Sequence, residues 1–103
     1  MSSESDTAIL YTLSKVPYGK VCTYGRIAEL SGQPGKARHV GYILKHLPYD
    51  SEIPWHRIIN SQGKLSFPEN SPKYLEQVNK LCQEGVTVTN QKISLKLYMW
   101  LGE

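Results

Sequence analysis

At 103 residues, with 40% apolar residues and ten aromatics, the chain is long enough for one domain with a modest core and too short for two. A chain of this size buries roughly 60–68% of its unfolded surface, so it needs neither disulfides nor a metal to hold it together. The net charge of +3 is unremarkable as a total, no apolar run approaches the ~18 residues that a bilayer-spanning helix needs, and the composition argues against disorder.

The opening MSSESDTAIL is polar and acidic, without a basic segment followed by an apolar one. An intracellular protein is expected, cytoplasmic in a bacterium and nuclear in a eukaryote. SDTAILYTLSKVP reads as a first helix, with Ser5 as its cap, Ile9, Leu10 and Leu13 as its apolar stripe, and Pro17 as its stop. PYGK is a turn and VCT a short extended piece. Thr23 then caps a compact helix, YGRIAELSG, with Ile27, Ala28 and Leu30 facing inward and Gly32 ending it. After the sharp connection GQPG comes KARHVGYILKHL, a third helix with Ala37, Val40, Leu44 and Leu47 on one face and Arg38 off that face near its start. Two helices joined by a tight glycine-containing turn, the second longer and basic, match a helix-turn-helix.

RII is extended, NSQG is a turn and KLSF returns, so residues 57–67 read as a hairpin that would make the domain winged. SPKYLEQVNKLCQEG is the clearest helix: Ser71 caps it, Pro72 occupies its first position and Gly85 stops it. Its expected buried stripe is Leu75, Val78, Leu81 and Cys82. VTV and KISLKLYMW read as short strands, the last ending in a turn of helix, with Trp100 in the core. The fold class expected is mainly α with small β elements: one winged helix-turn-helix domain over residues 1–103.

The charge is unevenly placed. Residues 15–64 carry eight Lys or Arg against three acids, which suits a polyanionic partner on that half. Cys22 and Cys82 are isolated, and His39, His46 and His56 are scattered. No zinc pattern appears, and two half-buried thiols in a reducing compartment are expected, although a disulfide between them stays open.

The least ordinary stretch is IPWHRII. Pro54, Trp55, His56 and Arg57 place a rigid elbow, a large flat apolar ring, an imidazole and a fixed cation side by side at a loop-to-strand junction. GKVCTYGRIAELSGQPGKARHVGYIL followed by IPWHRIINSQGKL resembles the DNA-binding domain of the O6-alkylguanine-DNA alkyltransferases over roughly residues 6–89. Those enzymes have Pro-Cys-His-Arg, whose cysteine accepts the alkyl group; this chain has tryptophan there, as the alkyltransferase-like proteins do. The resemblance implies a non-enzymatic protein that binds double-stranded DNA containing alkylated guanine, flips the damaged nucleotide and flags it for nucleotide excision repair proteins. It also implies entry of the recognition helix into the minor groove.

The resemblance implies roles residue by residue. Tyr24 crowds the phosphate 3′ to the flipped base and Arg38 fills the vacancy in the stack. Trp55 walls the lesion pocket, with His56 and Arg57 completing the motif after Pro54. Glu84 orients His56. The enzymes' serine- and glycine-rich lid is replaced by LSFPENSP, where Phe67 or Tyr74 is the candidate to line the pocket. No cofactor, catalytic residue, metal or membrane contact is implied, and a monomer is expected. Two other readings remain: a winged-helix transcription regulator making ordinary major-groove contacts, and, more weakly, an alkyltransferase using Cys22.

Overall fold

A computed structural model describes residues 4–102. It contains, in chain order, α1 (Glu4–Ser14), β1 (Cys22–Thr23), α2 (Tyr24–Leu30), α3 (Ala37–Lys45), a 3₁₀ turn (Trp55–Arg57), β2 (Ile58–Ile59), α4 (Pro72–Gln83) and α5 (Leu95–Tyr98). The architecture is mainly helical around a small two-stranded sheet, with α2 and α3 packed together as the helix-turn-helix. None of these helices is long and apolar enough to cross a membrane.

The sheet is a two-residue parallel ribbon, with Cys22 beside Ile58 and Thr23 beside Ile59. Because neighbouring side chains on a strand point to opposite faces, this ribbon divides the core in two. Cys22 and Ile58 join Ile9, Leu13, Ile27, Ala28 and Val40 under the helix-turn-helix. Val21 and Ile59 face the other way, into Leu65, Tyr74, Leu81, Val86 and Ile93 beneath α4. The segment after α5 closes along the same line: Val21 N–H donates to the Tyr98 carbonyl at 2.9 Å, and Trp100 N–H donates to the Val21 carbonyl at 2.8 Å.

Two expected caps are in place. Thr23 Oγ1 accepts from Arg26 N–H at the start of α2, and Ser71 Oγ accepts from Tyr74 N–H at the start of α4, where Pro72 leads the helix. Ser5 is not a cap, because α1 already includes Glu4. Leu30 is exposed at the end of α2, and Ile43 joins Val40 as a buried residue of α3 while Ala37, Leu44 and Leu47 are half-buried.

The buried face of α4 is Tyr74, Gln77 and Leu81, so Leu75 and Cys82, expected inside, are exposed. Both cysteines are free, with Cys22 buried, so neither the disulfide nor a pair of half-buried thiols is found. Trp100 is half-buried against the first cluster.

The hairpin expected over 57–67 is paired differently. Ile58 and Ile59 pair with β1, while the return segment meets the 89–93 turn: Leu65 N–H donates to the Gln91 carbonyl and Ile93 N–H to the Gly63 carbonyl. Gly63 fixes that junction. It has φ +80°, and a Cβ there would lie 2.5 Å from the Ile93 carbonyl oxygen. Of the stretches expected as final strands, VTV at 86–88 forms none, and KISLKLYMW contributes only isolated bridges at Lys92 (to Lys64 and Thr89) and Met99, with residues 95–98 helical.

Candidate nucleic-acid interface and lesion pocket

Pro54 precedes a single 3₁₀ turn that carries Trp55, His56 and Arg57 and sends Trp55 one way and the other two toward Glu84. Trp55 turns toward a cleft of about 950 Å³, lined also by Tyr24, Gly41, Leu44, Tyr49, Ile58 and Phe67, with Lys45, Ser66, Lys73 and Glu76 as its polar members. Phe67 meets the Trp55 ring edge-on, centroids 5.9 Å apart, and so lines the pocket as expected. Tyr74 does not, being part of the core below. Tyr24, the first residue of α2, lies against Gly41 of α3 and shares a 2.9 Å hydrogen bond between its hydroxyl and Ser66 Oγ. Tyr24 and Trp55, singled out separately in the sequence, thus line one cleft.

His56 and Arg57 point to the opposite side, where Glu84 ends α4. The Glu84 carboxylate accepts from His56 Nε2 at 2.6 Å and from Arg57 at 2.8–3.1 Å. It also accepts from Gly19 N–H at 2.8 Å, while Arg57 donates a further bond to the Val16 carbonyl. One carboxylate thus ties the pocket turn to the end of α4 and to the loop after α1. Burial pushes the Glu84 carboxyl up, but Arg57, Gly19 and His56 together outweigh it and hold the group at about 2. Burial, with the nearby charges of Arg57 and Lys80, lowers His56 below its ordinary value against the opposing pull of Glu84. An ionised carboxylate only accepts, so His56 is assigned the tautomer with the proton on Nε2.

Gln77, missed in the sequence because it is polar on a helix, braces the same turn from below. It is buried, and its Nε2 donates to the carbonyls of His56 at 3.0 Å and Ile58 at 3.2 Å. Lys45, Tyr49, Lys73 and Glu76 were also missed; the signal available was the helical spacing of Lys73, Glu76 and Lys80 on one face of α4.

Arg38 is not in the cleft. It is the second residue of α3, exposed, and without a hydrogen bond or ion pair to any described residue. The start of α3 lacks a side-chain cap at Lys36, which leaves backbone N–H groups of its first turn open beside Arg38. Neither thiol serves the cleft. Burial raises Cys22 to about 11, its Sγ lies 3.9 Å from the Trp100 carbonyl, and Cys82 sits on the outer face of α4. Among the described residues no cluster of His, Cys, Asp or Glu is arranged to hold a metal.

Residues 4–86 match the model of the 6-O-methylguanine DNA methyltransferase DNA-binding domain, and the chain belongs to this family. Its relatives there include members named for flipping bases or for resembling the transferases, and methyltransferases as well. A DNA base-flipping protein of Vibrio parahaemolyticus is 46% identical over 89% of this chain and 91% of its own length. Alkyltransferase-like protein 1 of Schizosaccharomyces pombe is 40% identical over 91% and 92%. The crystal structure of S. pombe Atl1 in complex with damaged DNA containing O6-carboxymethylguanine superimposes with a TM-score of 0.87 at 40% identity, covering 97% of this chain and 98% of that one.

Proposed function

We propose that the protein binds duplex DNA containing O6-alkylguanine, rotates the damaged nucleotide into the Trp55 cleft and holds it there without removing the alkyl group. The observation that carries this reading is a tryptophan wall standing beside an intact His56–Glu84 pair, with no thiol among the cleft residues. Backbone phosphates meet the basic half of the chain and the open N–H groups at the start of α3, which gives affinity without sequence preference. Arg38 enters the stack from that helix start; its planar guanidinium donates to the orphaned base while its stem fills apolar space. Tyr24, anchored through Ser66, crowds the neighbouring phosphate and favours the rotated nucleotide.

Extruding a guanine costs a few kcal/mol, less when alkylation has already weakened the pair. Stacking on Trp55 returns about 1–3 kcal/mol of that cost. A cleft of about 950 Å³ lies at the upper end of small-ligand pockets, so groups larger than methyl also fit. His56 and Glu84 then serve to hold the wall in place. A lesion held intact must be passed on, and nucleotide excision repair is the process suited to an adduct that no direct reversal removes. A single chain supplies finger, tyrosine and wall, so the protein acts as a monomer.

The test is a titration of matched duplexes, with and without one O6-methylguanine, at stated salt, followed by mass analysis after incubation with excess protein. Tighter binding to the lesion, an intact adduct and an unchanged protein mass are expected. A methyl group on Cys22 or Cys82 would establish an enzyme instead. Equal affinity for both duplexes would favour a transcription regulator.

A further inference from the structure

Resting on that reading of the cleft, we propose that Lys73 and Lys80 make it selective for alkyl groups that end in a negative charge. Both ammonium groups lie over the Trp55 ring, Lys73 at 4.1 Å and Lys80 at 5.4 Å from its centroid. One carboxylate lies between them: Glu76 is 3.8 Å from Lys73 Nζ and 3.5 Å from Lys80 Nζ. Two cations against one anion leave a surplus positive charge on the wall on which a flipped base would stack.

The arrangement has a local cause. Lys73, Glu76 and Lys80 share one face of α4 at helical spacing, and the negative face of the indole attracts the ammonium groups above it. Lys73 and Glu76 border the cleft directly, as does Lys45 on α3. Glu76 is therefore the only acidic side chain among the cleft residues, set against two lysines. The cleft dimensions are comparable with the ~10 Å screening length at 0.1 M salt, so an adduct anywhere within it senses this surplus. A carboxylate at the end of an O6-alkyl chain is attracted, and an ammonium at the same place is repelled.

The experiment compares three duplexes that differ only at O6 of one guanine: carboxymethyl, carbamoylmethyl and 2-aminoethyl, which are similar in size and carry −1, 0 and +1. Affinity should fall in that order, by about two- to fivefold per unit of charge, as for exposed ion pairs. Lys73→Met should compress the series and Lys73→Glu should reverse it, while Lys73→Arg keeps it. Three equal affinities, each above that of unmodified DNA, would overturn the charge selectivity and leave lesion binding standing. A uniform loss across the series in Lys73→Met would likewise overturn it, by making Lys73 a phosphate contact. No preference for any of the three over unmodified guanine would overturn the lesion reading and this proposal together.

Discussion

Replacing Glu84 with alanine should cost about 3–5 kcal/mol of folding stability, the loss typical of a buried ion pair deprived of one partner. The carboxylate side chain is 7% exposed and that of Arg57 16%, so water cannot readily replace what is removed. Arg57 would keep only its bond to the Val16 carbonyl, and both His56 Nε2–H and Gly19 N–H would lose their acceptor. The depressed pKa of the wild-type carboxyl leads to a similar figure. A shift from 4.5 to about 2 corresponds to about 3 kcal/mol. Because the folded value is the lower one, this stability is fully present above pH 4.5 and is lost as pH falls toward 2. His56 acts in the same direction: burial lowers it, so the unfolded chain takes up its proton first as pH drops below 6.5. Thermal and urea unfolding followed by circular dichroism, repeated from pH 7 to pH 2, measure both effects. The alanine variant should melt at least ~12 °C lower at pH 7 and show a shallower acid decline. A loss below ~1 kcal/mol, or two parallel pH curves, would show that Glu84 is a solvated surface charge and that the pocket turn is held by other contacts.

Arg38→Ala should weaken lesion binding by about ten- to a hundredfold, the range for losing hydrogen bonds from a charged donor, and should reduce the signal of a fluorescent base placed at the flipped position. Neutralising Lys15, remote from the cleft, should lower affinity without that loss of flipping; equal behaviour of the two variants would make Arg38 one more surface charge. Trp55→Ala should remove ~1–3 kcal/mol of preference for alkylated over plain guanine in paired titrations, since it deletes the stacking wall and leaves the finger in place. Trp55→Cys, which restores Pro-Cys-His-Arg beside an intact His56–Glu84 pair, should still transfer little or no methyl to residue 55 by mass analysis. A wide cleft does not hold the alkyl carbon in line with sulfur, and ~1 Å of misplacement costs about a hundredfold. Rapid stoichiometric transfer would locate the lost chemistry in the sulfur alone.

What could be read in the sequence was whatever is decided locally. Thr23 and Ser71 announce their helices because a hydroxyl one residue ahead of an amphipathic run has one good use. The motif around Trp55 was legible through its resemblance to a known family, and that resemblance also implied the His56–Glu84 contact. The failures share a cause: the decisive partner is distant in the chain. Leucine at 75 looked more suited to the core than glutamine at 77, yet Gln77 is buried because two carbonyls from the 56–58 segment need its amide. Ile58 and Ile59 looked ready to pair with the segment just ahead, but their partner strand lies near residue 22. The positive surplus on Trp55 could not be seen either, since nothing in the sequence says that one face of α4 closes over that ring.

The ribbon that separates the two cores also limits how the gene can change length. Deleting or adding one codon within residues 21–23 or 58–59 reverses the facing of the residues beyond it and exchanges what the two cores receive, so the whole domain is put at risk. The exposed stretch 68–70 carries no such constraint, because Pro68, Glu69 and Asn70 supply no buried side chain to either core. Length variation, and the grafting of a tag or fluorophore, should therefore be tolerated there and rejected at the ribbon, even for a change of a single small residue.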